Sequence, residues 1–135
     1  MARPKEPLQP RCLVLDSGAV IGWARGDARP RAFLARALEL EVEVRIPAAV
    51  LAETLRGGPR DAPILRIRNA VDVFPTEEGT ARLAGFLLGR TGGANTVDAL
   101  IAAEAVLAGG DVLTGDAVDL DALLARHKAV SVLRL

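Results

Sequence analysis

Four carboxylates in this chain occupy positions where an α/β fold gathers chemistry. Asp16 ends a short apolar run, Cys12 to Leu15, and Glu53 lies inside the segment Ala48 to Arg56. Asp98 opens Thr96-Val97-Asp98-Ala99-Leu100-Ile101, and Asp116 closes Leu113-Thr114-Gly115-Asp116. Three of the four fall at strand ends or helix starts, and in open parallel sheets the ligand crevice lies just beyond the carboxyl ends of the strands. Carboxylates gathered in one crevice repel one another and raise each other's pKa unless a cation sits among them. Oxygen is the only donor on offer, with no second Cys or His at zinc-ligand spacing, so the fitting ion is Mg²⁺, with Mn²⁺ as a substitute. Such an ion keeps several waters, and one of them is a candidate nucleophile for in-line attack on a phosphodiester whose phosphoryl oxygen the ion polarises.

Each acid also has a plain structural use. Asp16 can cap the helix that begins near Gly18, Asn95 with Asp98 can form a capping pair, and Asp116 with Asp119 can do the same for the last helix. Glu53 can stand in solvent, paired with Arg56. Only the four taken jointly point to a metal centre.

The elements that must position these acids alternate along the chain. The first strand, Cys12 to Leu15, is followed by a short helix over Gly18 to Ala24 that stops at Arg25-Gly26-Asp27. A helix from Ala28 to Leu40 turns Phe33, Leu34, Ala37 and Leu38 inward. Val42, Val44 and Ile46 alternate with charges as in a strand, and Pro47 suits the first turn of the helix running from Ala48 to Arg56, which stops at Gly57-Gly58-Pro59. Asp61 to Asn69 reads as a helix with Pro63 in its first turn, and Val71 to Phe74 as a third strand. The next helix starts near Thr76, faces Leu83, Phe86 and Leu87 inward, and is broken by Gly89 to Gly93. Asn95 or Thr96 caps the helix Val97 to Leu107, which Gly109-Gly110 closes. Val112-Leu113 is the fourth strand, Asp116 to about Arg126 a helix, and Val130 to Leu133 the last strand. Strands alternating with helices throughout predict a mostly parallel sheet with helices on both faces.

The totals fit one domain of 135 residues, taken as residues 11–135 after a flexible lead-in over residues 1–10 that holds three prolines. Four aromatics, Trp23, Phe33, Phe74 and Phe86, leave the core to Ala, Val, Leu and Ile. Seventeen cations balance seventeen anions, which excludes a histone-like grip on nucleic acid and a polybasic membrane anchor. Any affinity for nucleic acid must come from local arginines such as Arg25, Arg29, Arg56, Arg60, Arg66, Arg68 and Arg90, each of which could equally be a solvated surface residue. Cys12 has no partner for a disulfide and no segment is apolar enough to span a bilayer, so a soluble, cytoplasmic protein is expected. His127, the single histidine, reads as a dipole partner at the end of the last helix rather than a general base.

Leu-Asp-Ser at 15–17, Glu53 within Val-Leu-Ala-Glu-Thr-Leu-Arg-Gly, Asp98 within Val-Asp-Ala-Leu-Ile-Ala-Ala-Glu-Ala and Leu-Thr-Gly-Asp at 113–116 together resemble the PIN domain, over nearly the whole chain. More narrowly they resemble stand-alone bacterial PIN proteins of the VapC toxin kind. The resemblance implies a three-layer domain with strand order 3-2-1-4-5, a Mg²⁺-dependent endoribonuclease that leaves a 5′-phosphate, a homodimer, and a cognate antitoxin protein as partner. It also implies that Asp16 and Asp98 are the principal metal ligands, that Glu53 and Asp116 complete an acidic quartet, and that Asp119 acts through water or not at all. Ser17 and Thr114 match hydroxyl positions that orient carboxylates or water. The alternatives are a PIN-like nuclease of RNA processing and a PIN-like binding module without activity. A phosphotransfer module of the haloacid dehalogenase kind is disfavoured because Gly18 stands where it wants a second Asp, and a receiver because its late Lys and acid pair are missing.

Overall fold

In the computed structural model, which describes residues 12–93 and 95–135, the chain is organised around β1 (Leu13–Leu15), a strand buried at every position. The lead-in expected over residues 1–10 lies outside the described residues. Strands β2 (Val44–Pro47), β3 (Asp72–Phe74), β4 (Asp111–Thr114) and β5 (Val132–Arg134) complete a five-stranded sheet of order β3-β2-β1-β4-β5. All four pairings are parallel: Leu13 lies opposite both Val44 and Asp111, Ile46 opposite Val73, and Leu113 opposite Leu133. The fold is thus the expected three-layer α/β domain, with a wholly parallel sheet.

Parallel strands need crossovers, and seven α-helices among the described residues supply them: α1 (Ser17–Arg25), α2 (Ala28–Glu39), α3 (Ala48–Thr54), α4 (Ala62–Ala70), α5 (Glu78–Thr91), α6 (Thr96–Ala108) and α7 (Val118–Leu123). From β1 to β3 the chain steps one way across the sheet, and from β3 to β5 it steps back, so right-handed crossovers put α1–α4 on one face and α5–α7 on the other. The packing agrees, since α1 contacts α2, α3 and α4, whereas α6 contacts α5 and α7. Helix α6 is the most enclosed helix. Ala99, Ala102, Ala103 and Ala105 are fully buried there beside Ile101, and their short side chains let it lie close to β1, β2 and β4. The order of steps reverses between β1 and β4, which places the switch point of the sheet at the carboxyl ends of those two strands.

Several boundaries and facings differ from the sequence reading. Leu38 and Phe86 are 63% and 57% exposed rather than inward. The buried positions of α2 are Pro30, Leu34 and Ala37, and Leu38 lies about 80° round from Pro30; in α5 Phe86 sits about 120° from Thr80, well off the stripe of Thr80, Ala84 and Leu87. Helix α5 runs through Gly89 and ends only at Gly92, whose φ of 73° supplies the left-handed cap. Pro47 ends β2 opposite Phe74 instead of entering α3. Helix α3 stops at Thr54, short of the glycines, and α7 covers only Val118–Leu123. His127 therefore lies beyond the last helical turn, in a turn where its backbone N–H donates to Leu124 O, so the dipole role does not apply. No helix among the described residues is long and apolar enough to cross a membrane.

Candidate functional site

Asp16 leaves the end of β1 and performs two tasks. It is the N-cap of α1, its Oδ1 accepting from Ala19 N at 2.8 Å, so the structural reading of this acid holds. It also faces the switch point, where Thr114 donates its hydroxyl to Oδ2 at 2.5 Å and Gly115 N–H points at both carboxylate oxygens, 3.3 and 3.4 Å away. The side chain is buried. Burial pushes its pKa up, the three hydrogen bonds hold it down, and the charge of Glu53 adds to the rise.

Glu53 reaches the same place from α3, in the helical layer that also holds α1, where Ser17 Oγ donates to its Oε1. The pairing with Arg56 does not form: that guanidinium caps the end of α3, donating to Ala52 O and Leu55 O at 3.1 and 2.8 Å. Asp98 stands in the first turn of α6, which Asn95 caps by accepting from Val97 N and Asp98 N at 2.7 and 3.2 Å. Asp116 follows β4, its N–H donating to Thr114 Oγ1 at 2.9 Å and its Oδ1 accepting from Val118 N at 3.2 Å.

Asp16, Glu53, Asp98 and Asp116 line one cleft of about 380 Å³, together with Ser17, Gly18 and Gly115. Asp98 carries the electrostatic signature of the cleft. Its pKa is pushed up to about 6, first by burial and then by the charges of Asp119, Asp16, Glu53 and Asp116. Asp119 precedes Asp116 in that order, so a fifth acid, in the first turn of α7, belongs to the same electrostatic group. In the sequence it is signalled by its spacing of three from Asp116 at a helix start and by the resemblance, which has it act through water or not at all.

The donors offered to an ion are carboxylate oxygens, a set suited to a hard divalent cation. Among the described residues, no group of three or more His, Cys, Asp or Glu is positioned to hold a metal outright. Mg²⁺ is bound through one or two carboxylates and retains waters, so it does not require such a group. Four acids whose charges push up the pKa of Asp98 are a donor set that a cation would relieve.

A close backbone approach frames the cleft. A Cβ on Gly18 would lie 3.1 Å from Gly115 Cα, and one on Gly115 would lie 3.3 Å from Gly18 Cα, so the loops after β1 and β4 touch main chain to main chain. These two glycines and the Gly115 N–H were not identified by residue type, although Gly115 sits inside the motif that carries Asp116.

Comparison with solved structures finds the same fold in chains of toxin–antitoxin complexes. VapBC2 from Rickettsia felis, bound to a DNA fragment from the promoter, has a chain that superposes with a TM-score of 0.70 at 16% identity, over 92% of this chain and 98% of that one. A toxin–antitoxin complex from Klebsiella pneumoniae gives 0.66 at 20% identity over 87% and 94%, and VapBC-5 from Mycobacterium tuberculosis gives 0.59 at 23% over 93% and 100%. Comparison with curated protein sequences gives no match. The sequence itself matches the PIN domain model over residues 13–123, a span that takes in Asp16, Glu53, Asp98, Asp116 and Asp119. With that match and this sheet order, the chain belongs to the PIN domain family.

Proposed function

We propose that this protein is a Mg²⁺-dependent endoribonuclease, the toxin of a toxin–antitoxin pair, working in the cytoplasm as a homodimer restrained by a cognate antitoxin. The observation that carries the reading is the convergence of four acids from both helical layers on the sheet's switch point, with Asp98 shifted to about 6. The toxin assignment draws support from fold neighbours described as toxin–antitoxin complexes.

Asp16 and Asp98 would hold the ion, with Glu53 and Asp116 completing the set. When bound, Mg²⁺ supplies Lewis acidity toward the phosphoryl oxygen and acidifies a water beside it. The chain's own work is orientation. Thr114 Oγ1 and Gly115 N–H fix the Asp16 carboxylate, while Ser17 fixes Glu53. Because Thr114 also accepts from Asp116 N, one hydroxyl ties the acid after β1 to the acid after β4.

RNA cleavage by the purified protein is expected to appear with added Mg²⁺ or Mn²⁺, to stop in EDTA and to return on re-addition; cleavage that continues in EDTA overturns the reading. Thr114→Val keeps the shape of the side chain and removes the hydroxyl from Asp16 and Asp116. It is expected to weaken Mn²⁺ binding by about 10- to 100-fold, as loss of a ligand's outer partner does. Thr114→Ser should restore it, and calorimetric titration of the three proteins measures both effects.

A further inference from the structure

The acidic cleft has no means of attracting a polyanion, and the chain as a whole carries no net charge. A grip on RNA must therefore be local. One cavity in the structure has the required sign. Between the last turns of α5 and α7 lies a pocket of about 260 Å³ in which Arg90, Arg126 and His127 stand over a floor of Leu87, Ala122 and Leu123. No acid lines it. Neither Arg90 nor Arg126 forms an ion pair among the described residues, and the nearby acid Asp121 is taken by Arg134. Arg90 instead lies 5.2 Å above the ring of Phe86, which is 57% exposed.

Two guanidiniums without carboxylate partners match the two-point geometry of a phosphate, and an exposed aromatic ring beside them offers a face on which a base can stack. The placement also suits a strand already lying in the cleft. Arg90 stands in the last turn of α5, eight positions before Asp98 in the first turn of α6, and Arg126 stands three positions past the end of α7, whose first turn carries Asp119. Arg126 follows Asp119 by seven positions. Helix α7, six residues long, covers on the order of 9 Å of that interval, a span of the same scale as neighbouring phosphates on one strand.

We propose that the Arg90–Arg126–His127 pocket seats a backbone phosphate of the RNA, flanking the acidic cleft; this rests on the ribonuclease reading. An acidic peptide would match the charge, but the Phe86–Arg90 stack favours a nucleic acid.

The test is fluorescence anisotropy with a labelled single-stranded RNA of roughly 12 nucleotides, within the span single-strand sites cover. The full chain is used in EDTA, so that no cleavage occurs, across a series of salt concentrations. Arg90→Ala/Arg126→Ala is compared with a matched removal of two charges from α2, Arg31→Ala/Arg36→Ala, after thermal melts show all three proteins folded. The pocket variant is expected to bind at least about tenfold more weakly and to lose about 1.4 from the slope of log affinity against log salt, the share of two phosphate contacts on a single strand. Arg90→Lys/Arg126→Lys should keep the slope. Wild-type affinity and slope in the pocket variant, or an equal loss in the α2 variant, overturns the assignment. So does a polyglutamate peptide that binds the wild type and not the pocket variant while RNA binding is unchanged. If the wild type cleaves RNA in Mg²⁺ and the pocket variant binds normally, the pocket alone is wrong. If the wild type neither binds nor cleaves RNA, the ribonuclease reading fails and takes the pocket with it.

Discussion

Asp98→Asn is expected to lower RNA cleavage by at least about a hundredfold, since even an outer partner of a metal ligand is worth 10- to 100-fold. The same change should stabilise the metal-free fold. Asp98 is raised to about 6 by burial and by four neighbouring acids, so its ionised form is disfavoured in the folded protein relative to the unfolded chain. A carboxyl with a raised folded pKa contributes stability that is present below its unfolded pKa, near 3.8, and is lost as the pH climbs through about 6. Wild-type protein in EDTA should accordingly melt lower at pH 7 than at pH 5, and Asp98→Asn should flatten that difference. Saturating Mg²⁺ should reverse the sign for the wild type by favouring the ionised acid, while its affinity falls as the pH drops below about 6. Melting curves at several pH values, with and without the ion, separate these cases. A variant that loses activity and also melts lower in EDTA at pH 7 contradicts the picture of mutual repulsion.

Gly110→Ala should be the most damaging small substitution in the sheet. Gly110 lies between the end of α6 and the start of β4, its N–H donating to Ala105 O at 2.9 Å, while Asp111 N bonds Cys12 O at 2.9 Å. A Cβ here would fall 2.2 Å from Cys12 Sγ and 2.6 Å from Cys12 O. The sulfur can rotate away, but the carbonyl belongs to the β1–β4 ladder, so the central strands must part. A loss of about 3 kcal/mol, the upper end for overpacking, is expected. For a domain of this size that lowers Tm by roughly 10 °C. Gly109→Ala is the comparison, since Gly109 has a φ of 66° but nothing within 4 Å of an added Cβ. It should give up only about 1 kcal/mol of backbone strain. Similar melting of the two variants would sink the steric account.

The architecture was readable because its punctuation is local. Gly26, Asn95 and Gly109 end or start helices through their own backbone or side chain, and each does so in the structure where the residues indicate. Gly89 misled because a glycine within a helix is tolerated when its neighbours, here Leu87 and Leu88, are held by the core. Leu38 and Phe86 misled because a residue one step off the stripe carries the same hydropathy as one on it. For the site, the residue types were legible and their partners were not. Asp16, Asp98 and Asp116 end or open an element and Glu53 lies within a helix, but Thr114 meets Asp16 across 98 positions and Ser17 meets Glu53 across 36. The basic flank was only partly legible for the same reason: Arg90 stood among the local arginines, but Arg126 and His127, in the turn after α7, join it only through the packing of α5 on α7.

The contact between Gly18 and Gly115 divides the cleft into unequal jaws. Asp16 and Asp116 stand beside a contact of bare main chain and are stapled by one threonine, so that side is directly braced. Glu53 and Asp98 stand on α3 and α6, which pack against α1 and against β1 and β4, and they meet the clamp through side chains. Larger side chains at either glycine would wedge the braced jaw apart, separating Asp16 from Asp116 and spoiling the fit for a small ion without changing a single carboxylate residue.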